Sequence, residues 1–184
     1  MKEQIADAKR RMEGAVRALS SEFATVRTGR ASTHLLDRVQ VEAYGSRMPL
    51  SQLATLHAPE PRLLTIQPYD KSLFKAIERA IQESDVGLTP SSDGQVIRLA
   101  IPQLTEERRK ELVRLVHKMA EEARVAIRNV RRDVLNELKR AEKDGDISRD
   151  QLARAQEEIQ RLTDAEIKAV DEMMAVKEAE IREV

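Results

Sequence analysis

Between residues 105 and 143 the sequence carries its densest run of side chains able to do chemistry, twelve basic against eight acidic. On a helical wheel at 100° per residue with Leu112 at zero, Lys110, Arg114, Arg128, Arg132 and Lys139 fall at roughly 160 to 200°. The apolar row of the same stretch is centred near about 20°, so these cations line the opposite face. His117, Arg124 and Arg131 flank that line, and Glu121 is the one acid lying on it. A solvated helix back usually alternates sign to form i,i+4 pairs. Here Arg124, Arg128, Arg131 and Arg132 occupy adjacent turns with only Asp133 close by in sequence, which predicts four uncompensated guanidinium groups and a polyanion as their partner. Arginine in place of lysine favours bidentate phosphate contacts.

Other chemistry finds little support. The three histidines, His34, His57 and His117, lack ligand spacing and there is no cysteine, so neither a metal site nor thiolate chemistry is expected. The six glycines never form a phosphate-cradling loop, and carboxylate pairs such as Glu106-Glu107 and Glu157-Glu158 lie on exposed helix faces with no apolar pocket to raise a pKa. No enzyme active site and no cofactor are expected. The four aromatics, Phe23, Tyr44, Tyr69 and Phe74, all lie off the basic helix, which argues against base stacking and for a structured RNA surface recognised through its phosphates and shape.

The elements that position this line follow from hydrophobic period. Residues 3–28 place Ile5, Ala8, Met12, Ala15, Leu19, Phe23 and Val26 on one helical stripe, with Gly29 as the expected stop. Around Val39, Val41 and Ala43 the period changes to two, running into a Gly45-Ser46 turn. Strand-like pieces recur at 53–57, 62–67 and 95–101, and a short helix is expected over about 71–84, with Asp70 as N-cap and Leu73, Phe74, Ile77 and Ile81 facing inward. After Pro102 the helical period returns: Leu112, Val116, Met119, Ala123, Ile127, Val130, Val134, Leu138 and Ala141 run to a break at Asp144-Gly145-Asp146. Ser148 caps a last helix with Leu152, Ala155, Ile159, Leu162, Ala169, Met173 and Val176 in its row, beside Val170 and Ile181.

The fold class is therefore α+β: an elongated three-helix bundle from 1–29 and 105–184, with a small β/α/β sandwich domain, 31–104, inserted between its first two helices. Two crossings, near 29–31 and 103–105, make a hinge that includes Arg30, Leu104 and Thr105. Charge is segregated although Lys plus Arg equals Asp plus Glu at 32 each: residues 144–184 hold twelve acids and six bases. Such segregation also suits neighbouring helices that attract each other. The N-terminus, MKEQIADAKRRM, has no apolar targeting region and no stretch approaches 18 apolar residues, so a cytoplasmic chain without a membrane span is expected.

Three segments, RTGRAS at Arg27 to Ser32, QLTEERRKEL at Gln103 to Leu112 and RVAIRNVRRD at Arg124 to Asp133, with the turn GLTPSSDG at Gly87 to Gly94, resemble the ribosome recycling factor family over essentially the whole chain. Departures are small: Ala43-Tyr44 stands where the family often has two tyrosines, and Gln103 where it has a proline. The resemblance implies an L-shaped monomer with a flexible elbow, binding the post-termination ribosome on large-subunit ribosomal RNA. It further implies that elongation factor G, hydrolysing GTP itself, then drives separation of the subunits and release of messenger and deacylated transfer RNA. By the family motif, Arg128, Arg131 and Arg132 contact RNA, as do Arg109 and Lys110, while Arg27, Gly29 and Arg30 form the elbow. Arg114 and Arg124 join the RNA-contacting set from the basic line. Two rivals are a coiled-coil adaptor, which would be a homodimer, and a generic RNA chaperone, which the scarcity of aromatics disfavours.

Overall fold

The computed structural model describes residues 1–183. Two compact units are present, one from Met1–Thr28 with Glu106–Glu183 and the other from Gly29–Thr105.

The first unit is three long helices, α1 (Lys2–Thr25), α3 (Glu106–Lys143) and α4 (Arg149–Arg182), each packed against the other two. They close on the residues that the apolar period selects: Ala8, Met12, Leu19 and Phe23 of α1, Leu112, Val116, Ile127, Val134 and Leu138 of α3, and Ala155, Ile159, Val170 and Ile181 of α4 are buried. Turn chemistry fixes the α3–α4 hairpin. Gly145 takes φ +82°, its N–H donates to Glu142 O at 3.0 Å and the Asp146 N–H to Ala141 O at 2.8 Å, a Schellman stop. Ser148 then opens α4 with a capping box in which its hydroxyl accepts from Gln151 N and Gln151 Oε1 accepts from Ser148 N.

Two expectations for this unit are corrected. α1 ends at Thr25 and not at Gly29, because Val26 is already extended (ψ 114°) and closes the helix by donating to Phe23 O. In α4 the buried line passes through Thr163 instead of Leu162, and Val176 is 62% exposed. Thr163 is buriable because its hydroxyl donates to Ile159 O at 2.8 Å, so no polar group is orphaned.

The second unit has a two-stranded sheet, β1 (Gln40–Ala43) and β2 (Ser46–Pro49), a four-stranded sheet ordered β3 (Ala54–Glu60), β4 (Leu63–Pro68), β6 (Ile97–Ala100), β5 (Pro90–Ser92), and helix α2 (Phe74–Glu83). All pairings are antiparallel. One core joins them, with Val41, Leu50, Leu64, Ile66, Ile77, Ile81, Ile97 and Leu99 buried. Tyr44 (φ 53°) and Gly45 (φ 81°) make the two-residue turn between β1 and β2, and both left-handed angles match the twist a tight hairpin needs. Asp70 caps the start of the helical segment through Ser72 N at 2.9 Å, as its sequence position predicts. Strand β5 lies within the segment read from sequence as a turn. Its Pro90 sits at the first position of an edge strand, where no ladder N–H is required.

Candidate nucleic-acid interface

Helix α3 carries the basic line on its solvent side. With Leu112, Val116, Ile127, Val130 and Val134 packed inward, Lys110, Arg114, Arg128, Arg132 and Lys139 are exposed. Among the described residues Lys110, Arg114 and Lys139 have no ion-pair partner, so their charge is available to solvent or ligand. Arg109, at roughly 60° on the same wheel, turns toward the bundle. It is half-buried, its Nε is inaccessible and has no hydrogen-bond partner, and it lines a depression of about 430 Å³ with Lys110, Arg114 and Arg182.

Around the middle of α3 the expectation of four uncompensated guanidinium groups is overturned. Arg124 is only 16% exposed and is tied on two sides, through Nε (2.8 Å) and Nη2 (2.6 Å) to Asp171 of α4 and through Nη1 to Glu121 at 3.0 Å. Its Nη2 also lies 3.6 Å from Met174 Sδ. Burial alone would lower the Arg124 pKa, but the hydrogen bonds to Asp171 and Glu121 outweigh it and raise it. Arg128 donates to Glu121 Oε1 at 3.1 Å, and Arg131 to Gln160 Oε1 at 2.9 Å. Arg132 is 68% exposed, and its nearest carboxylate, Asp133, is 4.0 Å away and also engages Arg11 of α1 at 3.3 Å. Counting neighbours in sequence misses these partners because Asp171 and Gln160 come from another helix.

The four arginines therefore divide. Arg124 and Arg131 bridge α3 to α4, as does His117, which meets Glu178 Oε2 at 2.8 Å. Part of the acidic excess of α4 is taken up by these ties, so attraction between neighbouring helices accounts for the flanks of the basic line. Arg128 and Arg132, with Lys110, Arg114 and Lys139, face outward. Glu121 holds its carboxyl below the usual range, first through the hydrogen bond from Arg124 and next through that from Arg128. The partner roles of Asp171 and Glu121 are what sequence reasoning missed. The signal available for the first was the position of Arg124, at roughly 120° on the wheel and so between the core and the outward face.

The residues expected to form a hinge lie at the unit boundaries. Arg27 belongs to the bundle unit, Gly29, with φ 77°, and Arg30 open the second unit, and Leu104 and Thr105 close it immediately before α3. Among the described residues no group of three His, Asp or Glu side chains is arranged to hold a metal ion, and no helix is long and apolar enough to cross a membrane.

A family model described as ribosome recycling factor matches residues 19–181. The chain is 59% identical over 180 residues to the ribosome-recycling factor of Rubrobacter xylanophilus, covering 98% of this chain and 97% of that protein. It is 57% identical over 183 residues to that of Symbiobacterium thermophilum, covering 100% and 99%. Among solved structures it resembles the solution structure of a ribosome recycling factor, with TM-score 0.76, 44% identity and coverage of 100% of this chain and 97% of that one. It also resembles the T. thermophilus ribosome recycling factor in its assembly with E. coli elongation factor G and the E. coli post-termination complex, with TM-score 0.63, 47% identity and coverage of 98% and 97%. With residues of both units and the whole basic line of α3 inside the matched stretch, the chain belongs to the ribosome recycling factor family.

Proposed function

We propose that this chain, a non-enzymatic translation factor by its family, binds the post-termination ribosome through ribosomal RNA of the large subunit and, with elongation factor G and GTP, promotes separation into subunits with release of messenger and deacylated transfer RNA. The observation that carries the RNA contact is the outward face of α3, where Arg128, Arg132, Lys110, Arg114 and Lys139 project opposite a continuous buried row. A rigid helix about 57 Å long, at 1.5 Å for each of its 38 residues, presents these cations to successive phosphates of a folded RNA. The partnership with elongation factor G rests on the likeness to the T. thermophilus factor bound alongside it on the post-termination complex. GTP is bound and hydrolysed by that partner, and the chain works as a cytoplasmic monomer without a cofactor. The two units, joined by two short crossings at which Gly29 has a left-handed backbone, reorient during the reaction.

The test is to incubate the chain with vacant ribosomes and follow sedimentation. The chain pellets with ribosomes alone, and adding elongation factor G and GTP converts them to subunits. Ribosomes that stay intact under those conditions refute the proposal, and a homodimer in sedimentation equilibrium would favour the adaptor reading.

A further inference from the structure

Glu121 is the one acid on the outward line of α3, and its two oxygens are divided between two cations: Oε2 meets Arg124 Nη1 at 3.0 Å and Oε1 meets Arg128 Nη1 at 3.1 Å. Arg124 already reaches α4 through Asp171 at 2.6 Å, so it does not need Glu121 to tie the helices together. The contact with Arg128 does nothing for packing either. It joins residues seven apart on one helix, with side chains 54% and 46% exposed. What the arrangement changes is the surface charge. A carboxylate offering one oxygen to the Nη1 of each of two guanidinium groups competes with the non-bridging oxygens of a phosphate for that end of the fork. Those same hydrogen bonds hold the Glu121 pKa down, so it is ionised throughout the neutral range.

We infer that Glu121 is an internal competitor for an RNA phosphate at Arg128, a resident anion that RNA must displace and that sets how tightly and how long the chain stays bound. The inference rests on the RNA-binding reading of α3 and deepens it. Binding at this position is an exchange of carboxylate for phosphate, so fewer counterions are released than the number of basic residues suggests, and dissociation is assisted when Glu121 returns to Arg128. A factor that must leave its site after each round works with an affinity tempered in this way.

The experiment measures binding of the full chain to vacant large ribosomal subunits against salt, for Glu121→Gln, Arg128→Ala and the double variant, with Glu121→Ala as a second uncharged replacement and thermal unfolding as the folding control. Both Glu121 variants should bind roughly three- to tenfold more tightly at low salt, dissociate correspondingly more slowly, and steepen the slope of log affinity against log salt by about one unit. In the Arg128→Ala background the same change should gain less than about twofold, since the seat it vacates has lost its cation. Unchanged affinity in the Glu121 variants, with Arg128→Ala weakened, overturns the inference and leaves the RNA reading standing. Equal gains in both backgrounds overturn it also, because a general field and not local competition would then be at work. Wild-type affinity in Arg128→Ala overturns the inference, because no phosphate then sits at Arg128, and leaves the RNA reading to Arg132, Lys110, Arg114 and Lys139.

Discussion

Arg124, Arg128 and Arg132 share one sequence motif, yet their surroundings predict three different consequences of truncation to alanine. Arg132 is 68% exposed with its nearest carboxylate at 4.0 Å, so its loss leaves no buried partner and folding changes by less than about 0.5 kcal/mol. If it meets a ribosomal phosphate, losing that charge-assisted contact costs about 1.5–3 kcal/mol of binding, roughly ten- to a hundredfold. The log–log salt slope should also fall by about 0.9, so that between about 50 and 200 mM salt the variant loses roughly threefold less affinity than the parent. Arg128 should behave similarly but less strongly, because its phosphate contact replaces the 3.1 Å bond to Glu121. Arg124 reverses the pattern. It is 16% exposed and links α3 to Asp171, so Arg124→Ala should lower bundle stability by about 1–2 kcal/mol and affect RNA binding mainly through that loss. The assays are thermal unfolding with binding to large subunits at several salt concentrations, and a cycle with Asp171→Ala to isolate the cross-helix coupling. The reasoning fails if Arg124→Ala weakens binding at unchanged stability, or if Arg132→Ala destabilises the bundle and leaves binding intact.

Replacing residues 29–105 by a short Gly/Ser linker should leave a folded helical unit that binds ribosomes and no longer splits them, and loss of its helical circular dichroism would show that the three helices need the inserted unit. Gly29→Pro imposes a φ near −65° where the chain has +77°, so it should impair subunit splitting more than ribosome binding; equal loss of both would argue against a role in reorientation. Asp93 is held down to about 2, first by the backbone N–H groups of Val96 and Gln95 and then by Arg98. Because its folded pKa lies below the ordinary 3.8, its stabilisation is complete above that value and is lost as pH falls toward about 2. Protection of the Gln95 and Val96 amides, taken relative to their intrinsic exchange rates, should fall over that interval, and Asp93→Asn should flatten the dependence.

Local pattern makes much of this legible in the sequence. The apolar rows of α1 and α3, the stop at Gly145 and the cap at Ser148 depend on residues within a turn or two of each other, and they stand where the sequence puts them. What was not legible depends on distant partners. β5 is a strand only because β6 pairs with it, and a three-residue stretch opening on proline has no period to reveal that. Thr163 is buried because Ile159 O satisfies it. The basic line was legible as a line, but the pairing on and beside it was not: Asp171 and Gln160 reach the flanking Arg124 and Arg131 from 47 and 29 residues away, and Glu121 spans seven residues along the line itself to hold Arg128.

The insertion of one unit into the other also governs the order in which the chain can fold during synthesis. α1 is made first, with Ala8, Met12, Leu19 and Phe23 forming a stripe that is covered by α3 and α4. Neither exists until residues 29–105 have followed. The inserted unit is contiguous and can close its core as soon as β6 has emerged, whereas α1 must wait, its apolar side uncovered, for helices that begin at Glu106 and Arg149. The nascent bundle thus depends on whatever shields that stripe in the interval, and because α1's partners are made after the inserted unit, a chain truncated before α4 leaves it without part of its packing.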